Sequence, residues 1–133
     1  MDKKEIDQVI THFFSVFNNK VSSAQDWDML YRICIPRTMI IKKSGTDENV
    51  YGLDDFIAPR RIILTDGTLT GFEEQETSEE TFITGNLAQR YTRYRKSGYL
   101  NGAYFTAEGT KLFQLIRTAA GWKISSVLWE DDV

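Results

Sequence analysis

The pattern of apolar and polar residues near the end of the chain predicts a long antiparallel hairpin. Two β-rich runs of similar length, 111–118 and 122–129, flank the sequence Thr118-Ala119-Ala120-Gly121. A glycine in such a connection supplies the left-handed backbone that tight turns use. If Arg117 pairs with Trp122, alternate side chains of the two strands fall on two common faces.

Both faces of this predicted hairpin carry apolar side chains. The first face holds Phe113, Leu115, Trp122, Ile124 and Leu128. The second face holds Leu112, Ile116, Val127 and Trp129, together with Gln114, Lys123 and Ser125. A sheet of this kind needs a cover on each side, and the chain has helices enough for only one. We therefore expect a homodimer formed through the sheet, with Leu112, Ile116, Val127 and Trp129 at the interface.

Helical spacing dominates the first half of the chain. From Asp2 to Asn19 the apolar residues form one broad stripe, and Asp2 is placed to cap this helix. After a polar break at Ser22 or Ser23, a short helix is predicted from 26 to 34, ending before Pro36. A third helix is predicted over 53–64, after a glycine and with a kink at Pro59.

The remaining segments predict strands. They are 38–43 and 49–51 in a small first hairpin, and then 72–84, 86–97, 103–106 continuing through 111–118, and 122–130. Helices first and long strands afterwards are typical of an α+β domain, with helices packed on the concave face of a curved antiparallel sheet. At 133 residues the chain is expected to form one domain over 1–133.

Opposite charges line the middle hairpin. If Gly85 is the centre of its turn, Glu80 faces Arg90, Glu74 faces Lys96, Glu79 faces Tyr91 and Glu76 faces Tyr94. Cross-strand charge pairs of this kind fix register and are usually solvated. We interpret these charge pairs as part of a solvent-exposed face, so the cationic side chains from Arg90 to Lys96 are only weak support for an anionic partner.

Composition excludes several classes of function. A net charge of −3 does not favour binding to nucleic acid. The single cysteine, Cys34, lies among apolar residues and is expected to be a buried thiol in a reducing compartment. No apolar run is long enough for a signal peptide or a membrane span, so a cytoplasmic location without membrane association is expected. With His12 as the only histidine, no metal site is predicted, and no cofactor motif is present.

Four segments together carry a family resemblance: 52–60 (GLDDFIAPR), 86–94 (NLAQRYTRY), 109–117 (GTKLFQLIR) and 121–131 (GWKISSVLWED). Across its whole length the chain resembles the nuclear transport factor 2-like superfamily, and more narrowly its bacterial SnoaL-like and ketosteroid-isomerase-like members. The resemblance implies a cone-shaped α+β fold with a pocket between the helices and the concave sheet, and frequent homodimers. Because the superfamily contains isomerases, dehydratases, cyclases and assembly modules, the resemblance does not fix a function.

Candidate pocket residues are those that combine an apolar body with a polar end. Tyr31, Tyr51 and Tyr91 are candidates through their hydroxyl groups, and Phe113 is a candidate for the apolar wall. Arg60 falls on the apolar side of the third predicted helix, where it would hold a carboxylate or an enolate by paired hydrogen bonds. The alternative for Arg60 is a structural role, in which it snorkels or pairs with an acid such as Asp28 or Glu130 to lock the helix to the sheet.

Candidate catalytic residues are few. His12 lies at the flank of the first helical stripe, and Glu79 is the carboxylate expected to face inward, where burial would raise its pKa. The leading hypothesis is a domain whose cone binds a small hydrophobic or acidic molecule. The alternatives are an isomerase, cyclase or dehydratase that uses His12 or Glu79 as a base, and an assembly module without a ligand.

Overall fold

The computed structural model describes residues 1–20 and 25–133, and the predicted break at Ser22 or Ser23 lies outside this range. The helices are α1 (Asp2–Ser15), α2 (Asp28–Ile33) and α3 (Leu53–Thr65). The strands are β1 (Cys34–Ser44), β2 (Asp47–Tyr51), β3 (Leu69–Thr84), β4 (Leu87–Leu100), β5 (Ala103–Thr118) and β6 (Gly121–Asp131). Among the described residues, no helix is long and apolar enough to cross a membrane.

The strands form one curved sheet in the order β2-β1-β6-β5-β4-β3, with the helices packed against it. The predicted α+β class is therefore confirmed. One pairing differs from the predicted antiparallel sheet, since β1 and β6 run parallel. The reason is topological: α3 carries the chain from the β2 edge to the opposite edge, and three hairpins bring it back to lie beside β1.

Helix α1 packs through its predicted stripe, but its first residue does not cap it. The helix has no side-chain cap, and the Asp2 carboxylate instead accepts hydrogen bonds from the indole Nε1 of Trp122 at 3.2 Å and from Arg117 at 2.6 Å. Glu5 accepts a bond from the backbone N–H of Trp122 at 2.8 Å. These acids join the start of α1 to the turn between β5 and β6.

A bulge in β6 changes which side chains face the helices. The predicted pairing of Arg117 with Trp122 is confirmed, and Gln114 then pairs with Ser126 while Leu115 pairs with Ile124, so Ser125 is an extra residue. An extra residue reverses the alternation of every side chain beyond it.

Beyond that bulge the predicted faces are exchanged. Val127 is fully buried and Trp129 is 8% exposed, whereas Leu128 is 44% exposed. The prediction that Val127 and Trp129 belong to an outer interface is therefore wrong, because both are core residues of their own chain. Leu112 and Ile116 precede the crossover and do lie on the exposed face, as predicted.

A second bulge, at Thr77 in β3, restores the predicted register in the part of the hairpin away from the turn. The predicted pairs of Glu74 with Lys96 and Glu76 with Tyr94 are confirmed. Nearer the turn the register is one residue away from the prediction, and Glu79 pairs with Thr92 and Glu80 with Tyr91. The cause is that Gly85 and Asn86 both belong to the turn, so the hairpin is not centred on the glycine.

The interpretation of this hairpin as a solvated face is wrong for its central arginine. Arg90 is 4% exposed and lies on the inner face. Its guanidinium donates two hydrogen bonds to Glu76, at 3.1 and 2.5 Å, and one to Asp7 of α1 at 2.5 Å. It also donates to Thr81 at 3.1 Å and lies 3.4 Å from Glu79. We call these five residues the Arg90 cluster.

Apolar packing surrounds these polar groups. Phe113 is fully buried and meets Phe13 and Phe14 of α1 edge to face, with ring centroids 5.2 and 6.2 Å apart. Cys34 is buried as predicted, and burial raises the pKa of its thiol to about 12. The thiol is therefore protonated at neutral pH and a poor nucleophile.

Candidate functional site

A cavity opens between the helices and the half of the sheet away from the Arg90 cluster. Its volume is about 370 Å³, within the range of small-molecule sites. The apolar part of its lining consists of Phe13, Phe17, Phe56, Ile63, Leu64, Leu69, Phe72, Leu100, Phe105, Ala107 and Trp129. We call this space the cone cavity.

Six charged side chains complete the lining. Four are cationic and two are carboxylates: Lys42 of β1, Arg60 of α3, Lys96 of β4, Lys111 of β5, Glu74 of β3 and Asp131 of β6. Every one of them is carried by a regular helix or strand. The cavity wall therefore holds an excess of positive charge in a chain whose net charge is −3.

Lys111 is the most deeply buried of the cations, with 4% of its surface exposed. Its Nζ lies 3.3 Å from a carboxylate oxygen of Glu74, and 4.2 and 4.7 Å from the ring centroids of Tyr94 and Trp129. Burial lowers the pKa of the Lys111 ammonium, against the opposing attraction of Glu74. The rings stabilise its charged form by cation–π contact.

Asp131 is held in one orientation by two donors. It accepts a hydrogen bond from the Tyr94 hydroxyl, and another from Lys96 Nζ at 2.9 Å. Burial opposes ionisation of Asp131, but these two bonds outweigh it and leave the pKa of the carboxyl below its ordinary value. Gly109 makes room for the arrangement, because a Cβ there would collide with the Tyr94 hydroxyl and the Glu130 carbonyl.

Arg60 lies over aromatic rings rather than beside an acid. Its guanidinium carbon is 3.9 Å from the ring centroid of Phe56, 5.2 Å from that of Tyr51 and 5.5 Å from that of Trp129. One nitrogen donates to the carbonyl of Phe56 at 3.0 Å. Burial lowers the pKa of Arg60, yet a guanidinium stays charged at neutral pH.

The ion pair with Asp28 or Glu130, one form of the structural alternative for Arg60, is not formed. Within residues 1–20 and 25–133, no carboxylate forms an ion pair with this arginine. Lys42 stands near it, where burial lowers the pKa of its ammonium and the charges of Lys96 and Arg60 lower it further. This part of the cavity lining thus combines two cations with aromatic rings.

The other predicted pocket residues do not converge on the cavity. Tyr51 does not line the cavity and meets two of its lining residues, Arg60 and Phe56, from outside, and Phe113 belongs to the buried core beside α1. Tyr31 is 46% exposed, and its hydroxyl donates to Asp54. Tyr91 is 45% exposed and lies on the outer face of the sheet.

The two candidate bases also lie away from the cavity. His12 is on the exposed side of α1. Glu79 belongs to the Arg90 cluster, where a hydrogen bond from Thr81 and the charges of Arg90 and Lys3 lower its pKa. That direction is opposite to the one predicted for an inward base, because the carboxylate is ion-paired rather than isolated in apolar surroundings. Neither residue is placed to act on a molecule in the cone cavity.

Comparison with known proteins identifies the fold. No protein-family model matches the sequence, and no curated protein matches it either. A solved structure of a protein from Kribbella flavida superposes with a TM-score of 0.81 at 20% identity, over 99% of this chain and 91% of that one. A nuclear transport factor 2-like superfamily protein from Salmonella enterica serovar Typhimurium superposes with a TM-score of 0.79 at 14% identity, over 98% and 91%.

A third structure joins the two names of the fold. It is a nuclear transport factor 2-like protein with a cystatin-like fold from Novosphingobium aromaticivorans, with a TM-score of 0.74 at 15% identity, over 97% of this chain and 80% of that one. The chain has the nuclear transport factor 2-like fold. The sequence resemblance is thereby confirmed at the level of fold, and the narrower SnoaL-like assignment stays a prediction.

The sequence does not predict most of the charged residues that line the cavity of this nuclear transport factor 2-like domain. One signal was present for Lys111, which alternates with Phe113 and Leu115 and so belongs to the predicted core face of β5. Asp131 could not be placed without the bulge in β6. Among the described residues, no group of three or more metal-ligating side chains comes together.

Proposed function

We propose that the cone cavity binds a small organic anion with an apolar, preferably aromatic, body. The observation that carries the proposal is the excess of cations over carboxylates on a largely aromatic wall. Because charged groups away from water are stable only when compensated, the excess positive charge favours a ligand that supplies a negative one. A carboxylate is the simplest such group.

Arg60 and Lys42 are the residues that we assign to the ligand's anionic group. A guanidinium offers several N–H donors in one plane, and Arg60 uses one of them on the Phe56 carbonyl. Its stacking on Phe56 fixes the plane of the fork, so little side-chain freedom is lost on binding. The apolar body of the ligand would then lie against side chains such as Phe17, Phe72 and Phe105.

The volume of the cavity supports binding over an assembly module without a ligand. A space of about 370 Å³ accommodates a bicyclic aromatic acid, whereas a module that acts only through its surface needs no such space. The alternative of an isomerase, cyclase or dehydratase has less support, because its predicted bases, His12 and Glu79, lie away from the cavity.

The test is a calorimetric titration of 2-naphthoate into the wild-type protein and two matched variants. We expect Arg60→Met to weaken binding about tenfold or more, since a hydrogen bond to a charged group contributes about 1.5–3 kcal/mol. Arg61→Met removes an exposed arginine from the same helix and should leave the affinity unchanged. Equal weakening in both variants, or no binding to the wild type, would refute the proposal.

We also propose that a second copy of the chain covers the outer face of the sheet. Leu112, Ile116 and Leu128 form an apolar surface there, each at least one-third exposed. A contiguous apolar surface of this kind is typical of an interface. Sedimentation should give a dimer for the wild type and a monomer for the double variant Leu112→Glu/Leu128→Glu; a monomeric wild type at micromolar concentration contradicts the proposal.

A further inference from the structure

We infer that Lys111 forms an imine with a ligand that carries an aldehyde or ketone group in addition to its anionic group. The inference rests on the proposed function, because the anionic group is what brings the carbonyl into the cone cavity. It adds a covalent step that anion binding alone does not require. The chemical class of ligand is therefore an aromatic or alicyclic oxo acid.

The position of Lys111 sets it apart from the other cavity cations. Its amine is at the end of a side chain on a central strand, next to the cavity and shielded by the rings of Tyr94 and Trp129. Of the two other lysines in the cavity wall, Lys42 forms no ion pair with any described carboxylate that could accept its proton, and Lys96 is engaged by Asp131 at 2.9 Å. Lys111 meets its carboxylate, Glu74, at the longer distance of 3.3 Å. The ion pair of Lys111 is thus longer than that of Lys96, and its partner Glu74 is itself buried.

Glu74 is placed to move the protons that imine formation requires. It takes one proton from the Lys111 ammonium, and the neutral amine then attacks the carbonyl carbon to form a C–N bond. The carbonyl oxygen takes up a proton from the attacking nitrogen, which gives a neutral carbinolamine. The Glu74 carboxyl then protonates the hydroxyl group, water leaves, and the C=N bond forms as a protonated imine.

The net reaction conserves charge. An ammonium and a carbonyl become a protonated imine and water, with one positive charge on each side and no oxidation or reduction. The aromatic rings and the Glu74 carboxylate that stabilise the ammonium therefore also stabilise the product. Burial, which lowers the pKa of the lysine, increases the fraction of neutral amine that can attack.

The probe for the test is 6-formyl-2-naphthoate, which places an aldehyde opposite its carboxylate. Wild-type protein and Lys111→Arg, which keeps the positive charge but forms no imine, are each incubated with the probe and sodium cyanoborohydride. Reduction of the C=N bond fixes the adduct, and peptide mapping by mass spectrometry locates it. The exposed Lys4 of the same chain is the internal reference.

We expect Lys111 to be labelled about tenfold faster than Lys4 or more, since a bound carbonyl acts at an effective concentration far above its bulk value. Excess 2-naphthoate should suppress this labelling and leave Lys4 unaffected. Because the mapping uses the wild-type chain, it does not depend on the folding of the variant.

The outcomes separate this inference from the proposed function. Binding of 2-naphthoate without a selective adduct at Lys111 overturns the imine and leaves the anion site standing. Selective labelling of Lys42 or Lys96 also overturns it. If 2-naphthoate does not bind and labelling is the same at all exposed lysines, both proposals fail.

Discussion

Two groups of buried and partly buried charges lie between the helices and the sheet, and they differ in how they are compensated. In the Arg90 cluster, one arginine is surrounded by Glu76, Asp7 and Glu79, and α1 closes over it. In the cone cavity, four cations share two carboxylates beside an open space. The first arrangement is complete within the chain, whereas the second gains from a further anion. Compensation, rather than the presence of charge, is what distinguishes a structural ion cluster from a candidate binding site.

The largest expected effect comes from breaking the compensated group. Arg90→Met leaves the carboxylate of Glu76, which is 19% exposed, without its main partner. Removal of one partner from a fully buried pair costs about 3–5 kcal/mol of unfolding free energy, so we expect a loss near the lower end of that range. Urea unfolding measures this directly. Arg93→Met is the control, since Arg93 and its partner Asp132 are screened by solvent and the loss of this surface pair should change the stability little. Similar losses in the two variants would contradict the distinction.

A smaller loss of stability is expected at Gly109 of β5, where an added side chain would meet its neighbours most closely. Gly109→Ala places a methyl group against the Tyr94 hydroxyl and the Glu130 carbonyl, and overpacking of this kind costs about 1–3 kcal/mol. Thermal unfolding gives the stability change. The control is Gly52→Ala, because a Cβ at this glycine has open space around it and its φ is not positive. A neutral result for Gly109→Ala would contradict the close packing of Gly109 against Tyr94 and the Glu130 carbonyl.

Removing a cation from the uncompensated group should cost little stability. Arg60→Met leaves no paired carboxylate behind, and its methionine retains contact with Phe56, so we expect a change within about 1 kcal/mol. Urea unfolding of this variant beside Arg90→Met makes the contrast quantitative. A loss as large as that of Arg90→Met would mean that Arg60 is structural.

The smallest expected effect is a change in stability at acidic pH, through the carboxyl group of Asp131. The pKa of Asp131 is lowered in the folded protein, so its ionised form contributes stability that is present above the unfolded pKa of about 3.9 and is lost as pH falls through the lower folded value. The stability difference between wild type and Asp131→Asn should therefore be largest near neutral pH and shrink below pH 4. Unfolding curves from pH 7 to pH 3 test this. A difference that stays constant with pH would show that the hydrogen bonds of Asp131 do not depend on its charge.

Much of the fold could be predicted from the alternation and spacing of apolar residues, because burial imposes those periods on helices and strands alike. The bulges at Thr77 and Ser125 could not, since nothing in the local residue pattern marks where an extra residue enters a strand. The bulge at Ser125 reverses the faces beyond it, so simple alternation places Trp129 on the wrong side and does not predict Asp131.

The candidate site is harder to predict from the sequence than the fold. Helical periodicity predicts Arg60 as a pocket residue, because it places this arginine beside Phe56 on the apolar side of α3. Lys111, Glu74 and Lys96 lie on strands among residues of mixed polarity, where a charged side chain is usually solvated. Their burial follows from the helices that cover this half of the sheet, and only the tertiary structure brings them to one cavity.

The most direct test of the account compares two ligands that differ in charge and hardly in shape. Titrating 2-naphthoate and its uncharged carboxamide into the wild-type protein isolates the contribution of the anionic group. We predict that the carboxylate binds about tenfold more tightly or better, as expected for charge-assisted hydrogen bonds, and that this advantage shrinks in Arg60→Met. Equal affinities for the two ligands, or tighter binding of the carboxamide, would contradict the claim that the uncompensated cations of the cone cavity form an anion site.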